Sequence, residues 1–277
     1  MALLSYEFMR RALIAAIFIA GIAPMLGVFL VIRRQSLMAD TLSHVSLAGV
    51  ALGFFLNLNP DLTTLFVVVV AAVILEYLRG LYRSYSEISI AILMAGGLAL
   101  ALVLMSIDGG SNSTSIQSYL FGSIVTITWQ QVIVLGGLFA IIGVLFFLFK
   151  RPMYVLTFDE DTAHVDGLPT RLMSMFFNVV TGVAIAVMIP IAGALLISAI
   201  MVLPASVGMR VGKSFNTVIL VSVIVGFIGM LGGLFGSFYL DTPPGATITL
   251  VFIAIFLVVN LFLRLVVLNY RKRNLEK

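Results

Sequence analysis

Along most of the chain, apolar residues run on without the two-residue alternation of a strand or the one-sided stripe of a soluble helix. A helix that crosses about 30 Å of hydrocarbon needs roughly 20 apolar residues. Runs of that kind lie at 12–32, 41–57, 62–78, 88–107, 131–149, 172–189, 191–209, 217–239 and 246–268. The pattern predicts an all-α, polytopic integral membrane protein forming one domain over 1–277, with about nine spans, or roughly eight to ten. The second and third runs are short, and the sixth and seventh meet at Pro190 almost without a loop, so a broken helix with a re-entrant piece is the alternative there. The first run is too long for a signal-peptide core and lacks a small-residue cleavage site, which makes it a span.

Composition agrees. The 277 residues are 61% hydrophobic and 10% charged, whereas soluble domains are about half apolar and about a quarter charged. A soluble enzyme or nucleic-acid binder is excluded. With no cysteine, disulfide frameworks, thiolate zinc sites and iron–sulfur clusters are excluded too. His44, His164 and the 12 carboxylates remain as strong metal ligands.

The charge of +4 follows topology rather than partners. Arg33, Arg34, Arg79, Arg83, Lys150, Arg151, Arg171, Arg210, Lys213, Arg271, Lys272, Arg273 and Lys277 fall on one side of the predicted spans, and only Arg10 and Arg11 on the other. Short cytoplasmic loops retain Lys and Arg, so the N-terminus is expected outside and the C-terminus in the cytosol. The outward connections carry Asp61, Asp108 and Asp241 but no basic residue. The trio reads either as loop solvation or as an ion funnel. Asn112-Ser113-Thr114 fits a glycosylation sequon.

A titratable side chain at membrane depth costs at least about 2.5–3.5 kcal/mol, which makes it a functional hypothesis. Asp40 and His44 open the second run. Their i, i+4 spacing puts them on one helical face about 6 Å apart along the axis. A carboxylate and an imidazole so placed can share a divalent ion, and zinc usually takes four ligands. One chain offers two, so a twofold dimer with this helix near the axis would supply four. The alternative is that Asp40 caps the helix while His44 donates to a carbonyl. Ala39, Ser43, Ser46, Ala48, Gly49, Ala51 and Gly53 in the same segment permit close helix contact.

His164 falls in the polar stretch 157–169. Asp159 at its start, small residues in the middle and Gly167 at its end predict a short exposed helix of two to three turns. It reads as a protein-docking element, with a metal regulator as the alternative. Residues 208–214 have three residues between their glycines where a Walker A loop has four. No nucleotide site is therefore expected in this chain, and no nucleophile–base or paired-carboxylate arrangement points to an enzyme.

The segment Arg33-Arg34-Gln35-Ser36-Leu37-Met38-Ala39-Asp40-Thr41-Leu42-Ser43-His44, followed by Gly49-Val50-Ala51-Leu52-Gly53, resembles the signature of metal-ion ABC permeases, the zinc and manganese importers. Further matches are Tyr119-Leu120-Phe121-Gly122, Asp161-Thr162-Ala163 through Asp166-Gly167, Gly193-Ala194-Leu195-Leu196 through Pro204-Ala205, and Asp241-Thr242-Pro243-Pro244-Gly245. The resemblance implies a type II ABC importer-like permease in a bacterial cytoplasmic membrane. It would be a homodimer with two ATP-binding cassette subunits, fed by an extracellular or periplasmic metal-binding protein. ATP would act on the partner subunit, and this chain would bind no permanent cofactor.

The resemblance assigns metal contact to Asp40 and His44. It assigns ATPase coupling to the loop carrying Asp159, Glu160, Asp161, Ala163, His164, Asp166 and Gly167. It also implies an unwound segment before the second span, which would place Asp40 deeper in the membrane. Residues 43–49 and 241–245 resemble the zinc-type branch, so zinc is the expected cargo, with manganese or iron as alternatives. The rival classes are a stand-alone ion-coupled carrier and a non-transporting scaffold or sensor. The glycines at 226, 229, 232, 233 and 236 read either as close packing or as give for a conformational change.

Overall fold

The computed structural model describes residues 6–82, 86–107, 119–122 and 126–275. Their regular structure is helical: α1 (Glu7–Ile32), α2 (Ser36–Phe55), α3 (Pro60–Leu81), α4 (Ser86–Ile107), α5 (Trp129–Phe158), α6 (Glu160–Val165), α7 (Thr170–Ala192), α8 (Ala194–Val211), α9 (Phe215–Leu240) and α10 (Pro244–Leu275). Among the described residues, nine helices are long and apolar enough to cross a membrane. The six-residue α6 is the exception, and it is shorter than the two to three turns expected.

Local chemistry sets the helix ends. Asn59 accepts from the Asp61 amide ahead of Pro60 at the start of α3. Thr128 and Gln131 form a reciprocal capping box on α5. Ser214 caps α9. The second span begins earlier than the hydropathy run, at Ser36, with Gln35 as N-cap. Polar residues at 40, 41, 43 and 44 depress local hydropathy without interrupting the backbone hydrogen bonds. The expected unwound segment is absent among the described residues, and a tight turn at Arg33–Gln35 leads directly into α2.

The core is built around α1, which packs on α5, α8 and α9. Small residues make this possible, because apolar lipid leaves helix association to van der Waals fit. Gly27 of α1 lies against the Met201 backbone, and Gly226 of α9 receives Pro24. Phe29 sits among the rings of Phe146, Phe177 and Phe215. Helix α2 packs chiefly on α3 and α4, and α7 on α3. Large apolar side chains of α4, α5 and α10 stay exposed, among them Leu102, Phe147 and Leu261. On a spanning helix that surface meets hydrocarbon.

The sixth and seventh runs are two separate spans. Helix α7 continues through Pro190 and ends at Gly193, whose φ of 81° and ψ of 152° interrupt the helix. Helix α8 then runs back across the bundle: Gly193 lies beside Phe121 and Gly122, while Gly208 and Gly212 at its other end lie beside Val218 of α9. The re-entrant alternative is thereby excluded. Gly122, with φ of 72°, abuts Ala192 and Gly193, and Gly245 abuts the Phe121 carbonyl. Three segments far apart in sequence thus meet through glycine backbone.

Candidate metal site on the second span

Asp40 and His44 are the fifth and ninth residues of α2. Asp40 is therefore not the N-cap, and the capping alternative for it falls. His44 Nε2 lies 3.8 Å from Asp40 Oδ1, with side chains 30% and 42% exposed respectively. That separation is too long for a hydrogen bond. It is close to the roughly 3.4 Å between two tetrahedral ligands held about 2.1 Å from one ion. His44 Nδ1 is buried without a partner among the described residues.

The rest of α2 explains why this face is free. Gly49 lies on Thr64, Gly53 on Pro60, and Val45 on Gly97. At about 100° per residue these positions lie opposite Asp40 and His44. The small residues thus serve contact with α3 and α4, leaving Leu37, Asp40 and His44 partly exposed together. Among the described residues there is no group of three or more His, Cys, Asp or Glu able to hold a metal. His164 does not join the pair: it is exposed on α6, which packs on α5 and α7.

Two of the outer acids have local structural roles. Asp61 accepts a 3.0 Å hydrogen bond from the Tyr119 hydroxyl, and Asp241 is the left-handed C-cap of α9. Asp108 and the 112–114 sequon lie outside the described residues. Burial, and then the Asp61 carboxylate, hold the Tyr119 hydroxyl protonated well above the usual phenol range. Tyr119 also packs on the α2 clusters around Leu47 and Val50, so segment 119–122 covers the end of α2 remote from Asp40.

In α6, Asp159 accepts from the Thr162 hydroxyl at 2.5 Å and from its amide at 2.9 Å. Those bonds, the hydroxyl's first, hold the carboxyl below its ordinary range. Ala163 is buried and anchors the helix, whereas Glu160, Asp161, His164 and Asp166 are exposed and Val165 is 85% exposed. Gly167 ends the turn with φ of 78°.

Glu76 was not among the residues singled out from the sequence, yet it lies inside the third run and should have been. Its side chain is 12% exposed and 3.2 Å from Arg79 Nη1. Asn178 Nδ2 donates to Glu76 at 2.6 Å, and both Arg79 and Arg33 donate to Ser174. With the Gln35 amide oriented to satisfy both groups, its oxygen accepts from Arg79. One carboxylate thus ties α3 to α7 and, through Arg79, to the residue that starts α2. The signal was a lone acid within a span.

The comparisons with known proteins cover nearly all of this architecture. The family model described as the ABC 3 transport family matches residues 5–263. The "Probable metal transport system membrane protein" of Treponema pallidum (strain Nichols) is 30% identical over 93% of this chain and 96% of its own length. The high-affinity zinc uptake system membrane protein ZnuB of Haemophilus influenzae is 27% identical, covering 94% and 98%. The manganese import system permease protein ScaB of Streptococcus gordonii is 28% identical, covering 91% and 90%. Among solved structures, PsaBC from Streptococcus pneumoniae in complex with Fab superposes with a TM-score of 0.82 at 28% identity, covering 93% of this chain and 92% of that one. Together with the helical bundle and the reversal at Gly193, the match over residues 5–263 shows that the chain belongs to the ABC 3 transport family.

Proposed function

We propose that this chain is the membrane permease of an ATP-driven importer of a divalent metal ion, with Asp40 and His44 as the transient metal ligands. The observation that carries the reading is the 3.8 Å carboxylate–imidazole pair on the open face of α2. Two chains related by a twofold axis through that face would contribute four ligands. Such a site replaces part of the hydration shell of the ion yet releases it, because each chain holds it through only two groups. A closed cage of strong ligands would retain it.

Helix α6 is the docking element for an ATP-binding cassette subunit: Ala163 seats it and the acidic face with Val165 is left for the partner. ATP binding on that subunit favours one of two packings of the spans, by its differential affinity for them. The basic ends of the spans then lie in the cytosol and the N-terminus outside the bacterial cytoplasmic membrane. Ion delivery falls to an external metal-binding protein.

Zinc is the proposed cargo, from the likeness of residues 43–49 and 241–245 to zinc-type permeases. The zinc and manganese relatives are almost equally similar, at 27% and 28% identity, so manganese is the alternative outcome. The test is uptake of zinc and of manganese into proteoliposomes holding the complex with its ATPase subunit. Uptake should require ATP and fall at least tenfold in Asp40→Ala and in His44→Ala. Uptake unchanged in both variants, or driven by an ion gradient without ATP, would overturn the assignment.

A further inference from the structure

A cleft of about 270 Å³ opens between α1, α5 and α7, lined by apolar side chains that include Met25, Phe29, Phe146, Met173 and Val180. Lys150 is the one charged residue of its lining, with Nζ 5.9 Å from the centre of the Phe146 ring. Lys150 also lines a second, more polar cavity of about 610 Å³ with Arg151, Tyr154, Ser214, Phe215 and Asn216. The two cavities meet at this lysine, and neither lining includes a carboxylate among the described residues.

Helix α5 sets the depth of this arrangement. It starts at Trp129, and the 21 residues from there to Lys150 rise about 31 Å, one hydrocarbon thickness. Lys150 and Arg151 thus stand at the membrane interface, while Ile142, deeper in the cleft lining, lies about 12 Å inside the hydrocarbon. The rim is open to the surroundings, with Phe149, Leu172 and Phe176 exposed. The site has an apolar body at acyl-chain depth and two cations with hydroxyl and amide groups at headgroup depth. We propose that the cleft binds one anionic phospholipid per chain, an acyl chain lying along Phe29, Phe146 and Val180 and the phosphate diester resting on Lys150 and Arg151.

The proposal does not rest on the transported ion, and its test does not measure transport. Full-length protein is extracted from membranes, exchanged into phosphatidylglycerol or phosphatidylcholine nanodiscs, released, and its retained lipid counted by native mass spectrometry. One phosphatidylglycerol per chain should survive in the wild type, and phosphatidylcholine should not. Each basic residue near an anionic surface contributes about fivefold, so K150Q with R151Q should lower retention at least fivefold. K150R should keep the lipid, and V180W, which fills the cleft without touching the charges, should lose it. Soluble glycerol phosphate at millimolar concentration should not compete, because it lacks the acyl chain. Equal retention of both lipids, undiminished retention in K150Q/R151Q, or displacement by glycerol phosphate would overturn the proposal. So would a wild type that carries no lipid.

Discussion

Replacing Gly193 with alanine tests whether the reversal between α7 and α8 depends on glycine backbone. At φ 81° and ψ 152° the residue occupies a region that is essentially restricted to glycine and costs other residues about 1–3 kcal/mol. The added Cβ would also overlap the Phe121 carbonyl carbon and the Gly122 amide nitrogen. These are main-chain atoms, so no rotamer change relieves the overlap and the segment 119–122 must move away. Overpacking of this kind costs about 1–3 kcal/mol, giving about 2–6 kcal/mol in all. Unfolding of the purified protein in mixed micelles, titrated with a denaturing detergent, measures the difference. Gly232→Ala is the control: it lies within a helix with no heavy atom near its would-be Cβ, so alanine should be neutral or stabilising by up to about 1 kcal/mol. Gly122→Ala combined with Gly193→Ala should cost less than the sum of the two, since either opens the same contact. Gly193→Ala losing less than about 1 kcal/mol, or no more than Gly232→Ala, would refute the reasoning.

Glu76→Ala should destabilise the protein by about 1–3 kcal/mol, because it leaves buried Asn178 and partly buried Arg79 without their carboxylate partner; the same detergent titration reads it, and Glu76→Gln, which can still accept from Asn178, should cost less. The raised ionisation of Tyr119 means that its stabilising contribution is complete below about pH 10, the ordinary phenol range, and is lost as pH rises further. Tyr119→Phe should flatten that alkaline loss, measured as stability against pH. The lowered ionisation of Asp159 works in the opposite direction: its cap on α6 is present above the ordinary carboxylate range of about pH 4 and is lost as pH falls through its depressed value. If α6 docks an ATPase subunit as proposed, Asp159→Ala should weaken co-purification of that subunit by fraying α6, whereas Asp161→Lys should weaken it with α6 intact, and proteolysis between 157 and 169 separates the two.

Much of this was legible from local pattern. The nine spans, the alternation of basic and non-basic connections and the nearness of Asp40 to His44 all follow from properties of one segment at a time. A span needs its own run of apolar residues because its backbone must satisfy itself in lipid. An i, i+4 pair on a helix meets whatever the rest of the chain does. The departures are local as well. The apolar run of the second span starts five residues after α2 does, because polar side chains lower hydropathy without disturbing a helix. The two spans expected to meet at Pro190 meet instead at Gly193, because helix α7 carries Pro190 within it and Gly193 makes the turn. The role of Glu76 is not legible locally, because Asn178, which donates to it, and Ser174 and Arg33, which follow beyond Arg79, come from other helices.

What the amino-acid order determined by itself was therefore the number of apolar helices, the alternation of their connections and one helical face that carries a carboxylate and an imidazole. Tertiary structure alone decided which face of each span meets protein and which meets lipid: that Gly49 and Gly53 seat α2 on α3, that Gly122, Gly193 and Gly245 converge, and that one carboxylate serves three helices. The reason is the solvent. Hydrocarbon is as apolar as the side chains facing it, so hydrophobicity carries no record of burial within the bundle. Contact between spans is written instead in the fit of small residues and a few polar groups, which only the assembled fold brings together.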